Sequence, residues 1–170
     1  MAGNENLSVM TAFRSRTSPG LIRQQWDTLS RLPNGKELFS QSIGKIAPYS
    51  GTISARVLQL RSGYAKVEME DQKTVRNHLN SIHAVALLNL AEMTSGLAML
   101  YSAPDNTRSI ITRISIDYLK KARGLITAEC DCGSVEGGEK REHQFEVILR
   151  DQTDEVVAQA RVHWLVDPAS

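Results

Sequence analysis

Cysteine is scarce in this chain: Cys130 and Cys132 are the only two in 170 residues, which excludes a disulfide-built scaffold. They stand two apart in a segment that reads as a strand, so both side chains point to one face and a bond between them would be strained. Reduced thiols in an intracellular setting are expected. Cys-x-Cys lacks zinc-ligand spacing, as do His78, His83, His143 and His163, so no metal is expected. An excess of one charge is also missing, with 20 basic residues against 19 acidic ones and a formal net charge of +1. Without a global field, neither nucleic acid nor a membrane surface is an expected partner, and an anionic ligand would have to meet a local cluster. Residues 1–19 contain no apolar core of signal-peptide length, which argues against secretion. Arg14, Arg16 and several hydroxyl residues there are similar in kind to an organelle transit peptide, whereas Glu5 is not. The segment reads as a mobile leader and the protein as cytoplasmic, with the mitochondrion as the alternative. No repeat or low-complexity segment occurs.

What is present suffices for one compact domain, since 41% of the residues are hydrophobic and 23% charged. After Pro19 and Gly20, Leu21, Trp26, Leu29 and Leu32 form a helical stripe that Pro33, Asn34 and Gly35 stop. A second helical pattern, KELFSQSIGKIA, ends before Pro48. The expected organisation is a leader at 1–19, a helical preamble at 20–47 and the body of the domain at 48–170. From Thr52 the period becomes two: Ile53, Ala55 and Val57 alternate with polar residues, and Ala65, Val67 and Met69 do so after a Ser62-Gly63 turn. Alternation returns beyond residue 107, with Ile110, Thr112, Ile114, Ile116 and Tyr118 on one face. It continues through Ile126 to Cys132, Phe145 to Leu149 and Val156 to Val166. Strands apolar on one side imply an antiparallel sheet with one covered face.

The cover must come from SIHAVALLNLAEMTSGLAMLYS, residues 81–102, which is apolar all round with one carboxylate, Glu92. Such a helix is either buried or membrane-spanning. His83, Asn89 and Glu92 within it, a mid-span acid costing roughly 2.5 to 3.5 kcal/mol in a bilayer, and the absence of flanking aromatic belts favour a core helix. The expected fold class is therefore α+β: a hot-dog fold, in which a curled antiparallel sheet wraps a long central helix, with two N-terminal helices in front.

Residues 77–92, NHLNSIHAVALLNLAE, resemble the pattern Asn-x-x-Gly-x-x-His-Gly-Gly leading to Leu-Ala-Asp in the PaaI-like hot-dog thioesterases. Residues 118–124, YLKKARG, are similar to that family's Tyr-x-x-Pro-Ala-Arg turn. The likeness spans roughly residues 48–166, as a branch with His-Ala in place of His-Gly-Gly. The resemblance implies that Glu92 stands for the catalytic acid, Asn77 for the residue that orients water or substrate, and His83 for the family's His. The Ala84 amide would replace the first glycine's as oxyanion donor. A family Ser or Thr near the acid falls about where Ser109, Thr112 and Ser115 stand, and alternation turns Thr112 toward the helix. Asn80 for Gly, Ala84-Val85 for Gly-Gly and Lys121 for Pro depart from the pattern. The implied activity is hydrolysis of an acyl-CoA or acyl carrier thioester by a homodimer or homotetramer. No cofactor is implied beyond the coenzyme A thioester as substrate.

The residues support the same chemistry on their own. A thioester carbonyl gains negative charge as water attacks, and a helix N-terminus offers unpaired amides to receive it. Asn80 or Ser81 would cap that helix. A carboxylate among Leu88, Leu90, Ala91 and Met93 should have a raised pKa, which suits a general base near neutral pH. His83 and Glu92, nine residues apart, lie about 13.5 Å apart along a helix and about 180° round it. One site can use both only across a two-fold dimer. Asn89 and the cations Arg76, Arg108, Lys120, Lys121 and Arg123 are candidates for substrate and coenzyme A phosphate binding. The competing readings are an acyl-CoA hydratase or dehydratase, and a dimer that binds acyl thioesters without turnover.

Overall fold

The structure, a computed structural model, describes residues 18–168. The expected leader lies outside these apart from Ser18, whose hydroxyl accepts from the Leu21 amide, and Pro19, which opens the first helix. Helices α1 (Pro19–Leu29), α2 (Gly35–Ile46) and the single turn α3 (Pro48–Gly51) precede strands β1 (Arg56–Arg61) and β2 (Tyr64–Met69). A 3-10 turn at Lys73–Val75 and the long helix α4 (Ala84–Ser102) follow. Strands β3 (Thr107–Tyr118), β4 (Ile126–Asp131), β5 (Arg141–Asp151) and β6 (Val156–Pro168) complete the chain. All six strands join one antiparallel sheet in the order β1-β2-β4-β5-β6-β3. The fold is the expected hot-dog.

Helix α4 lies in the concavity, packed against β1, β2, β4, β5 and β6. It is long and apolar enough to cross a membrane by length and composition, yet 67% of that span is buried inside the protein. Leu90, Ala91, Ala98 and Met99 are fully buried in it, facing Val67, Met69, Ala128, Val147 and Val162 of the sheet. Alternating strands and an all-round apolar helix are complementary, because each supplies the apolar surface the other must cover.

The leading helices are part of this core. Ile22, Trp26, Phe39 and Ile43 belong to the same buried cluster, and Trp26 meets the Phe39 ring edge-on at 5.1 Å. Arg23 donates to the carbonyls of Tyr101 (2.9 Å) and Ala103 (2.7 Å), satisfying acceptors left over at the end of α4. Ser40 of α2 accepts from the Val57 amide at 2.9 Å, fixing α2 to β1.

Four local expectations need correction. The buried stripe of α1 is Pro19, Ile22 and Trp26; Leu32 sits in the turn beyond the helix and is exposed, because the Pro33-Asn34-Gly35 turn ends the helical spacing early. Pro48 does not only stop α2 but starts α3, since proline's fixed φ suits a first helical position. Strand β1 begins at Arg56 rather than Thr52, because Ser54 adopts a left-handed φ of 50°, although Ile53 and Ala55 are buried. In β3, Ile111 pairs with Trp164 and Arg113 with His163, so Thr112 is the extra residue of a bulge. The bulge moves the inward positions from Ile111 to Ile114 and Ile116, leaving Ile110 and Thr112 exposed.

Leu90→Ala would empty volume at the fully buried centre of α4. It is expected to lower unfolding free energy by about 2 to 5 kcal/mol, measured as a reduced urea midpoint with an unchanged slope.

Candidate functional site

The two stretches that suggested the family meet in space. Asn77 Oδ1 accepts from the Leu79 amide (2.9 Å), the Ser81 amide (3.3 Å) and the Ser81 hydroxyl (3.2 Å). Asn77 thus folds the loop before α4. Asn80 takes a left-handed φ of 58°, a conformation that asparagine tolerates better than most residues, which accounts for its standing where the family pattern has glycine. The second stretch grips this loop: the Ile82 amide donates to the Ala122 carbonyl at 2.9 Å, and Arg123 Nε donates to the Asn80 carbonyl at 3.1 Å. Tyr118 donates its hydroxyl to the Ala84 carbonyl at 2.9 Å. A cleft of about 340 Å³ opens between the stretches, lined by Asn77, Ala84, Tyr118 and Lys121 among others.

The cap of α4 is His83 rather than Asn80 or Ser81. Its Nδ1 accepts from the Val85 amide at 3.1 Å, and its own amide donates to the Val75 carbonyl at 2.7 Å. With Nδ1 accepting, a neutral ring would hold its proton on Nε2, and His83 as a residue is exposed. Asn80 cannot cap because its left-handed turn lies three residues before the helix, and Ser81 is held by Asn77. The amide of Ala84 meets no acceptor among the described residues. Around this helix end Leu79, Val85, Tyr118 and Leu119 form exposed apolar surface.

Glu92 lies further along α4, half-buried, and burial raises its carboxyl pKa above the usual range. The carboxylate has no hydrogen-bond or ion-pair partner among the described residues. It borders a mostly apolar cavity of about 150 Å³ between α1, α2, α4 and Trp164 of β6. Asn89, one turn earlier, does not pair with it; its Nδ2 donates to the Tyr49 carbonyl at 3.2 Å, while its Oδ1 is buried and unsatisfied. Asn89 also lines a pocket of about 180 Å³ shared with His83, Val85 and Arg76.

Most of the expected cations have partners within the chain. Arg76 donates to Asp71 at 2.7 Å, which holds that carboxyl below its ordinary range. Lys120 bridges Asp151 and Glu155. Lys121 is exposed on the cleft and Arg108 exposed on β3, and neither has an ion-pair partner among the described residues. Thr112, expected to face the helix, instead bonds Glu142 on the outer surface at 2.5 Å. Among the described residues, no three His, Cys, Asp or Glu side chains gather as metal ligands would. Sequence reasoning missed Tyr118 as a support of the helix end and Trp164 as a wall beside Glu92. The latter was legible only as an inward-facing residue of its strand.

The sequence pattern of DUF4442, described as a domain of unknown function, matches residues 35–166. The chain belongs to the DUF4442 family. A protein of Archaeoglobus fulgidus named as a candidate esterase is 34% identical over 70 residues, 41% of this chain and 44% of its own length. The chain thus spans less than half of that curated relative. A structural-genomics crystal structure is 29% identical and superposes with a TM-score of 0.76, over 87% of this chain and 99% of the other. A Pseudomonas aeruginosa protein of unknown function, described as a probable thioesterase, is 24% identical with a TM-score of 0.67, covering 79% and 95%. A Streptococcus mutans protein solved with acetyl-CoA bound is 21% identical with a TM-score of 0.58, covering 66% and 88%. These solved neighbours share the hot-dog fold.

The left-handed turn at Asn80, three residues before the capping His83, shapes how the loop closes. Asn80→Gly should leave thermal stability within error, whereas Asn80→Val should cost about 1 to 2 kcal/mol, read from denaturant titrations of both variants.

Proposed function

We propose that this protein is an acyl-thioester hydrolase acting on acyl-CoA or an acyl carrier thioester, with its site completed by a homodimer. Glu92 carries the reading: an acid with no partner among the described residues, half out of water, beside a mostly apolar cavity. A carboxylate in that setting is costly to keep unless it is used. In the proposed reaction, water attacks the thioester carbonyl as Glu92 takes its proton, and the carbonyl oxygen's charge develops toward the Ala84 amide. The carbon–sulfur bond then breaks, and the thiolate takes up a proton as the acid is released. Solved hot-dog neighbours described as a probable thioesterase and as an acetyl-CoA complex support this chemical class.

The dimer rests on geometry. Glu92 and the Ala84 amide lie on one rigid helix, about 12 Å apart along its axis, so they cannot serve one carbonyl within a chain. The apolar surface of Leu79, Val85, Tyr118 and Leu119 beside the helix end supports pairing with a second copy. One observation favours a second reading, a dimer that binds acyl thioesters without turnover. The Val85 amide is already taken by His83, leaving one free amide where an oxyanion would be received.

Thiol release from a panel of acyl-CoAs separates the readings: saturable binding with no release would leave only the binding protein. Glu92→Gln is expected to reduce kcat by about 10² to 10⁴-fold without altering the dimer. Because burial raises the Glu92 pKa, the acid limb of the kcat/KM profile should sit above the ordinary glutamate value of about 4.3 and vanish in that variant. The stability sign is opposite to that of a paired acid. A raised folded pKa makes the wild type lose stability relative to Glu92→Gln as pH rises from the unfolded value through the folded one, which melting curves across pH 4 to 8 (about the range of interest) would record.

Mixing subunits tests the shared site. Glu92→Gln and His83→Ala proteins, each weakly active alone, should on unfolding and refolding together regain about a quarter of wild-type activity, because half the dimers are mixed and each mixed dimer has one intact site. No recovery would place both residues' work within one chain.

A further inference from the structure

The cavity beside Glu92 is lined by Ile22 of α1, Ile43 of α2, Leu97 and Leu100 of α4, and the indole of Trp164. The indole is held from two directions. Its Nε1 donates to Ser95 Oγ at 3.1 Å, and its ring lies against Gly96 so closely that a Cβ there would stand 3.1 Å from Cζ2. Ser95 is itself fully buried, and its hydroxyl donates to the Glu92 carbonyl at 3.0 Å. Ile22 is 2% exposed and locked in the core, so neither wall can yield readily. Resting on the hydrolase reading for the role of Glu92, we propose that this cavity receives the acyl group. Trp164 sets its length limit, and the two N-terminal helices form its outer wall.

Size and chemistry define the ligand. A largely apolar cavity of about 150 Å³ has room for a benzene-sized guest, and this one, open to solvent, measures about 150 Å³. The acyl group is therefore apolar and about six carbons in size, linear, branched or aryl. An uncharged alkyl or aryl group fits it best, because the lining is mostly apolar apart from Glu92 and Ser50 and the indole N–H is already satisfied by Ser95. A longer chain would have to displace the pinned indole.

Alkyl-CoA thioethers, which cannot be hydrolysed, test the cavity independently of turnover. Affinity of the full-length protein for butyl, hexyl, octyl and decyl thioethers, measured by isothermal titration, should rise about fourfold per methylene up to six carbons and then stop. Trp164→Leu should move that break to longer chains, and Ala47→Leu, which adds volume elsewhere in the lining, should move it to shorter ones. Either shift supports the assignment should the other variant fail to fold. Affinity independent of chain length, or rising unbroken to the decyl compound in the wild type, would overturn it. Thiol release from hexanoyl-CoA is scored in parallel. A break at six carbons with no release keeps the acyl cavity and removes hydrolysis, whereas release without a break keeps hydrolysis and removes the cavity.

Discussion

A helix that is apolar on every side must be covered on every side. Helix α4 meets that constraint by lying along the inside of a sheet whose strands each offer one apolar face, with α1 and α2 closing over part of what the sheet leaves open. Burial of this one rod organises the rest of the molecule. It curls the sheet, draws the N-terminal helices into the core, and leaves Glu92 at a seam where the cover is incomplete. An isolated carboxylate at the centre of such a rod would be prohibitive, while one at the seam keeps partial contact with water at the cost of a raised pKa.

The beginning of that rod is built with comparable economy of backbone. Asn77 and Asn80 fold a short loop, His83 caps the helix, and the segment from Tyr118 to Arg123 is hydrogen-bonded to both the loop and the first turn. Each bond satisfies a group that the helix start or the loop would otherwise leave open. The consequence is a braced helix end at which the amide of the exposed Ala84 has no acceptor among the described residues. The acid and this amide stand about 12 Å apart along the axis of one helix, too far for both to reach one carbonyl within a chain.

Hydrogen-bonding detail explains where reading from residue pattern succeeded and where it slipped. Strands β2, β4 and β5 followed simple alternation, and their expected inward residues Ala65, Val67, Ala128, Val147 and Leu149 are all fully buried. Strand β3 looked equally regular, but one bulge at Thr112 reversed its faces halfway along. Period-two patterns carry no sign of an inserted residue when both faces hold isoleucines. The helix cap was misassigned for a related reason. Asn80 and Ser81 have good capping side chains, but the loop's own turn consumed them, and a histidine acting through Nδ1 took the position instead. The cations Arg76 and Lys120 looked available for phosphate and are engaged with Asp71, Asp151 and Glu155, partners distant enough along the chain that only folding could pair them.

By itself the sequence determined the fold class, the central helix and the solitary acid on it, because each follows from the period and polarity of neighbouring residues. Tertiary structure alone decided that Tyr118 and Arg123 brace the loop before α4, that Asn89 turns to Tyr49, and that Trp164 faces Glu92 across an apolar cavity. Those contacts join residues separated by tens of positions, from Asn89 to Tyr49 at 40 apart to Trp164 and Ser95 at 69. A local pattern specifies which way a side chain points, but not what the folded chain brings to meet it.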